Sequence, residues 1–140
     1  MIMKDELFIN GKDAFEVWGV TMGEGFIESL FSPAPMKSVI ENKSRSENGK
    51  RIILDNRKQD ERDLTLVFTL SGESQNDYIN RYKSFITEIS TNEVRIYVPA
   101  LGSDVYHIYY VRSAAFAQSM DRTFCKISAK FNEPNPANRN

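Results

Sequence analysis

Between Arg62 and Leu70, apolar side chains alternate with polar ones. Leu64, Leu66, Phe68 and Leu70 recur every second position, with Asp63, Thr65 and Thr69 between them. This is the pattern of a strand buried on one face, and Val67 is its one exception. After a Ser71-Gly72 turn the period changes: Tyr78, Ile79, Tyr82, Phe85, Ile86 and Ile89 fall on a single stripe of a helix over about residues 75–90. Ser74 stands where an N-cap is needed, Asp77 suits the positive helix start, and Ser90-Thr91-Asn92 ends the stripe. One strand face and one helix stripe are thus available to cover each other.

The flanking segments read mainly as strands. Leu7-Phe8-Ile9 followed by Asn10-Gly11 predicts an opening hairpin. Alternation from Ala14 to Met22 predicts a second strand with Trp18 as a core anchor. Residues 23–37, broken by Gly23, Gly25, Pro33 and Pro35, read as an irregular connection with room for a short strand. Beyond the helix, Val94, Ile96 and Val98 make a strand that Pro99 stops. Val105 to Arg112 makes another, apolar or aromatic on both faces, so it is either interior or packed on a partner. Ala114 to Met120 fits a helical turn and a continuing strand about equally. The last strand runs from Thr123 to Phe131, with Cys125, Ile127, Ala129 and Phe131 inward, and a polar tail follows over 134–140. Consecutive strands with short turns favour antiparallel pairing. The expected class is α+β, mostly β: one antiparallel β-sandwich or barrel-like domain over 1–133 with one flanking α-helix.

Two stretches are too polar for a core. From about 37 to 55 the pattern predicts a long hairpin, Val39-Ile40 against Ile52 to Leu54, with Asn48-Gly49 supplying a type I′ tip. Glu41, Lys43, Arg45, Glu47 and Lys50 lie along it, which leaves two readings: a solvated loop, or an arm that pairs with a neighbouring subunit. The run from Asp55 to Asp63, with Arg57, Lys58, Asp60, Glu61 and Arg62, reads as a solvated connector or a subunit-facing ion-pair patch. It lacks the ligand spacing and central Gly of a calcium loop.

Composition narrows the function classes. Opposite charges nearly cancel over the 140 residues, at a formal net −1, so the overall balance favours neither nucleic acid nor an anionic membrane. No apolar run approaches the ~20 residues that span a bilayer. The lone Cys125 has no internal disulfide partner, and the polar start carries no secretory signal, so synthesis in a reducing cytoplasm is expected. The only histidine, His107, stands among tyrosines without a nucleophile motif, and no phosphate-binding glycine loop occurs. No enzyme activity, cofactor or metal site is expected. Arg95, Tyr97, Tyr106, Tyr110 and Arg112 interleave base with aromatic rings, which keeps a nucleic-acid or protein binding module of β-barrel type as the alternative.

The order of elements resembles the N-terminal domain of phage distal tail (Dit-like) proteins and, more broadly, tail-tube proteins. The resemblance rests on the early Asn10-Gly11 turn with its following strand, the hairpin phrase Asn48-Gly49-Lys50-Arg51-Ile52-Ile53, the charged connector, the strand Arg62 to Leu70 and the amphipathic helix. The ending Lys130 to Arg139 is similar to that of short tail proteins of Bacteroides-type prophages. It implies a virion structural protein made in the bacterial host cytoplasm and assembled into rings, usually hexameric, that join the tail tube to baseplate or fibre proteins. It also implies that the hairpin touches the adjacent subunit, with Glu41, Lys43, Arg45, Glu47, Lys50, Arg57, Lys58, Asp60 and Glu61 as interface residues. No direct nucleic-acid or membrane contact is implied. The additional C-terminal domain that many distal tail proteins carry is not matched, which leaves tip, tube and terminator roles open.

Overall fold

The computed structural model describes residues 4–37, 40–42, 51–53 and 58–140. In chain order the elements are β1 (Phe8–Ile9), β2 (Lys12–Asp13), α1 (Ala14–Trp18), β3 (Val20–Met22), α2 (Phe26–Phe31), β4 (Ile40–Asn42), β5 (Arg51–Ile53), β6 (Arg62–Ser71), α3 (Gln75–Thr91), β7 (Val94–Tyr97), β8 (Val105–Gln118) and β9 (Phe124–Glu133). Seven strands form one antiparallel sheet in the order β2-β1-β7-β8-β9-β6-β3, curled into an open half-barrel around α3. The fold class is the expected one, mostly antiparallel β with α3 as the flanking helix. β4 and β5 pair only with each other among the described residues.

The sheet is built on β6 and β9, which pair without interruption from Arg62↔Glu133 to Ser71↔Phe124. Because paired residues point to one side, Leu64, Leu66, Phe68 and Leu70 join Phe131, Ala129, Ile127 and Cys125 on the buried face, as their alternation predicts. α3 lays Tyr78, Phe85 and Ile89 onto that face, with the Ser74 hydroxyl accepting from Asp77 N at 3.1 Å as its cap. Phe68 is the meeting point. Its ring sits edge-on to Phe26 at 5.2 Å, Phe85 at 5.2 Å and Phe131 at 6.1 Å, joining α2, α3 and β9.

Two segments depart from the sequence expectation. The predicted strand from Ala14 to Met22 begins as the helix α1. Asp13 Oδ1 accepts from Phe15 N at 3.0 Å and Glu16 N at 3.3 Å, and Gly19 closes the turn at φ 66°. Only Ala14 and Trp18, four apart, are buried, which is helical spacing. Trp18 is the core anchor expected, edge-on to Phe85, with its indole N–H donating to Ser84 Oγ at 3.0 Å. In the predicted irregular connection, Phe26 and Leu30 turn inward from α2. That helix stands beside β6, where β3 does not reach, and shields its edge.

The opening hairpin at Asn10-Gly11 is present, with Phe8 opposite Asp13. Ala114 to Met120 resolves as strand as far as Gln118, and Tyr106 and Ile108 are the buried residues of β8.

Phe68→Ala is expected to cost about 3–5 kcal/mol, the range for emptying a buried aromatic site, read from urea unfolding midpoints. Gly19→Ala should also destabilise, because a Cβ there meets the Ser71 carbonyl oxygen and the Arg81 guanidinium at a positive φ. Substituting Ala for Gly25, whose Cβ would meet nothing, tests the φ penalty alone and should cost less.

Candidate interface surfaces

Register places Arg62 directly opposite Glu133, and both are buried, 3% and 0% exposed. The sequence pattern put Arg62 in a solvated connector or a subunit-facing ion-pair patch; it instead anchors an internal cluster. Arg62 Nη1 donates to the carbonyl oxygens of Leu30 at 2.9 Å and Ser32 at 2.6 Å, satisfying the end of α2, while Nε lies 2.9 Å from Glu133 Oε1. The latter is a charge contact rather than an aligned hydrogen bond, since the Nε–H is not aimed at the carboxylate.

Arg139 reaches back to the same carboxylate with two bonds of 3.2 Å and lays its guanidinium over the Tyr106 ring at 4.8 Å. Burial pushes the Arg62 guanidinium below its ordinary value against the pull of Glu133. For Arg139 burial acts the same way, but the hydrogen bonds and charge of Glu133 outweigh it, and its pKa rises. The Tyr106 hydroxyl, also raised by burial, has no partner among the described residues.

Residues 134–140 pack back along the start of β8. Pro136 is buried, and Val105 N donates to Arg139 O at 2.9 Å. His107 pins the end of this segment, with Nδ1 2.8 Å from Glu93 Oε1 and Nε2 2.9 Å from the backbone oxygen of Asn140. Its bond to Glu93 raises its pKa above 6.5, with burial and, more weakly, Arg95 opposing. His107 therefore works as a structural clip.

Among the described residues, β8 carries the largest unpaired edge in the sheet. β7 pairs with it only from Val105 to Ile108, whereas β9 follows it from Tyr109 to Gln118. From Tyr109 onward, nothing among the described residues pairs with its other side. Val111 is 57% and Phe116 47% exposed there. Val111 and Ala114 fall at breaks in the β8–β9 register, extra residues that bend the strand. On the inner side Phe116 rests against Tyr82 at 5.6 Å, and the Tyr78 hydroxyl donates to Gln118 Oε1 at 2.8 Å. This edge was missed because Ala114 to Met120 has no clear period. The mismatch between a short β7 and a long β8 was its sequence signal.

Of the predicted interface residues, Glu41 lies in β4 opposite Ile52. Lys43, Arg45, Glu47, Lys50 and Arg57 lie outside the described residues, as does the Asn48-Gly49 tip. Lys58 and Glu61 are exposed and Asp60 partly so, around an antiparallel bridge of Met36 to Gln59 that roots the arm. Lys37 N donates to Lys58 O at 2.9 Å and Asp60 N to Pro35 O at 2.7 Å.

The aromatic and basic platform does not assemble. Tyr106 is buried, and Tyr110 points inward against Phe131 at 5.8 Å. Cys125 is buried with its thiol pKa raised by that burial, unlike an activated nucleophile. Among the described residues no group of three or more acidic, His or Cys side chains is placed to hold a metal, and no helix is long and apolar enough to cross a membrane.

No protein-family model matches the chain, and no curated protein does. Among solved structures it matches the crystal structure of the SPP1 Dit (gp 19.1) protein, described as a paradigm of the hub adsorption apparatus in phages infecting Gram-positive bacteria. The chain is similar to it in fold. The match has a TM-score of 0.59 at 15% identity over 94% of this chain, and this chain spans half the length of that one.

Glu133→Gln is expected to cost about 3–5 kcal/mol in chemical unfolding, because it strands the buried Arg62 and the half-buried Arg139 guanidinium groups. For His107, whose folded pKa is raised, stabilisation is complete below about pH 6.5 and fades as pH climbs through the folded value. Melting temperature should therefore fall as pH rises above about 6.5 in the wild type. In His107→Gln it should fall less.

Proposed function

We propose that this chain is a structural protein of a phage or prophage tail: a ring-forming subunit, hexameric, that joins the tail tube to the baseplate at the tip. The observation that carries this reading is the SPP1 Dit-like fold, which accounts for 94% of the chain despite 15% identity. The surfaces support it. A ring subunit needs unsatisfied edges and exposed apolar contacts more than a closed pocket, and β8 from Tyr109 to Gln118 supplies both. The partners in this reading are further copies of the chain and neighbouring tube, baseplate or fibre proteins, and its place is the virion tail.

The test is the solution mass of the purified protein by size-exclusion chromatography with light scattering over a wide concentration range. A discrete six-chain species is the expected result. A strict monomer at every concentration would overturn the preformed ring.

A further inference from the structure

Buried polar atoms are nearly always hydrogen-bonded, so a cluster of exceptions calls for a reason. Among the described residues, Arg62 Nε, Arg62 Nη2 and the Tyr106 hydroxyl are buried without a partner, and all three lie where residues 134–140 pack. Arg62 Nη1 is taken by the Leu30 and Ser32 carbonyls. The Nε–Nη2 edge is the one that grips a carboxylate side-on through two parallel bonds. A carboxylate stands beside it, since Glu133 Oε1 is 2.9 Å from Nε, but it is out of line. Arg139 holds it there, donating from Nε to Oε2 and from Nη2 to Oε1, each at 3.2 Å. Charge-assisted bonds of this kind usually run at ~2.7–2.9 Å. One carboxylate is thus divided between two guanidinium groups and bonded at full strength to neither.

The two arginines differ in what they lose without it. The Arg62 side chain is 3% exposed, and an unpaired cation there is costly, whereas that of Arg139 is 24% exposed and reaches water if the segment carrying it swings out. Its departure would leave Arg62 and Glu133 as a matched pair. The segment is suited to moving as a piece. Pro134 and Pro136 fix φ on either side of Asn135, and Asn138 N donates to Asn135 O at 3.0 Å.

Four contacts oppose that movement. β9 leaves β8 at the Tyr109↔Asn132 pair, and nearer the start of β8 the Val105 N–H goes to Arg139 O. The Arg139 guanidinium lies over Tyr106, and Pro136 is buried. The fourth contact is His107, whose two ring nitrogens both meet acceptors, Glu93 Oε1 and Asn140 O. A neutral imidazole has one N–H, so only the imidazolium donates to both. The groups facing it are Glu93 just before β7, Arg95 opposite it in β7, Tyr109 in β8, whose hydroxyl donates to Glu93 Oε2 at 3.4 Å, and Asn140.

We infer that residues 134–140 form a two-state strap, closed with Glu133 on Arg139 and open with Glu133 turned side-on to Arg62, and that protonated His107 is the catch that keeps it closed. Rising pH removes the second N–H of the catch and favours the open state. Opening bares the Val105 N–H and the Tyr106 ring at the start of β8. The strap needs no partner chain, so it works alike in a monomer and in a ring.

The experiment is NMR of the isotope-labelled full chain, reading amide exchange and the arginine Nε–H resonances. The Val105 amide reports the strap, and the Leu66 amide, in the middle of the β6–β9 pairing, reports opening of the whole fold. In the wild type Val105 should be at least about tenfold less protected than Leu66. Relative to Leu66, its protection should fall at least about threefold more between about pH 6 and about pH 8.5. His107→Gln should abolish that extra fall. Arg139→Gln should remove the protection of Val105, keep that of Leu66, and move the Arg62 Nε–H resonance downfield as Glu133 aligns with it. Arg62→Lys keeps a cation for the α2 carbonyls but has no side-on edge, and should protect Val105 more than in the wild type.

A Val105 amide that exchanges only together with Leu66 overturns the strap. An Arg62 Nε–H resonance unmoved in Arg139→Gln overturns the transfer of Glu133. A ratio of Val105 to Leu66 protection that does not change with pH overturns the catch.

Discussion

One ring, Phe68, sets the geometry to which the rest of the molecule conforms. It meets Phe26, Phe85 and Phe131 edge-on, so α2, α3 and β9 must converge at a fixed depth over β6. Edge-to-face contacts are directional as well as apolar, and they add ~0.5–1.5 kcal/mol per pair beyond area burial. α3 touches both β6 and β8, the strands on either side of β9, so it sits over the middle of the curled sheet. Trp18 then closes the remaining side of Phe85.

Around that apolar centre the chain ties its ends with charge. Glu133 accepts from Arg139 and faces Arg62, and Arg62 in turn holds the last carbonyls of α2. Three segments therefore meet at one carboxylate, and α2 joins them through Arg62. Such a cluster gives little net stability over an apolar replacement, but it penalises any arrangement that leaves one member unpaired. It fixes the register of β6 on β9 at the place where the arm departs.

Much of this was legible from period alone. The alternation of β6 and β9 and the stripe of α3 gave element type and buried face, because a long one-sided pattern has a single physical solution. α1 was misread because Ala14 to Trp18 carries apolar residues at both period 2 and i, i+4, and Phe15 and Val17 are in fact exposed. Asp13 before it and Gly19 after it were the discriminating caps. α2 was hidden by prolines that lie beyond its end. The burial of Arg62 was not legible, since its partner Glu133 is more than half the chain away and its charged neighbours suggested solvent. The predicted arm residues were named from polarity and resemblance. Polarity shows that a segment avoids its own core, but not what covers it, and the unpaired side of β8 emerged only from strand lengths and sheet order.

The pairing of β6 with β9 also shapes how the chain reaches this state. β8 and β9 are adjacent in sequence and joined by a tight turn, so their hairpin closes a short loop and forms early. β6 must wait for a much longer closure, with α3, β7 and β8 already accommodated between Ser71 and Phe124. During that interval both faces of the hairpin and its unpaired side are open to other nascent chains. The strand with the long unpaired side in the folded protein is then its principal aggregation hazard, and slow, dilute refolding is the condition under which monomers would be recovered.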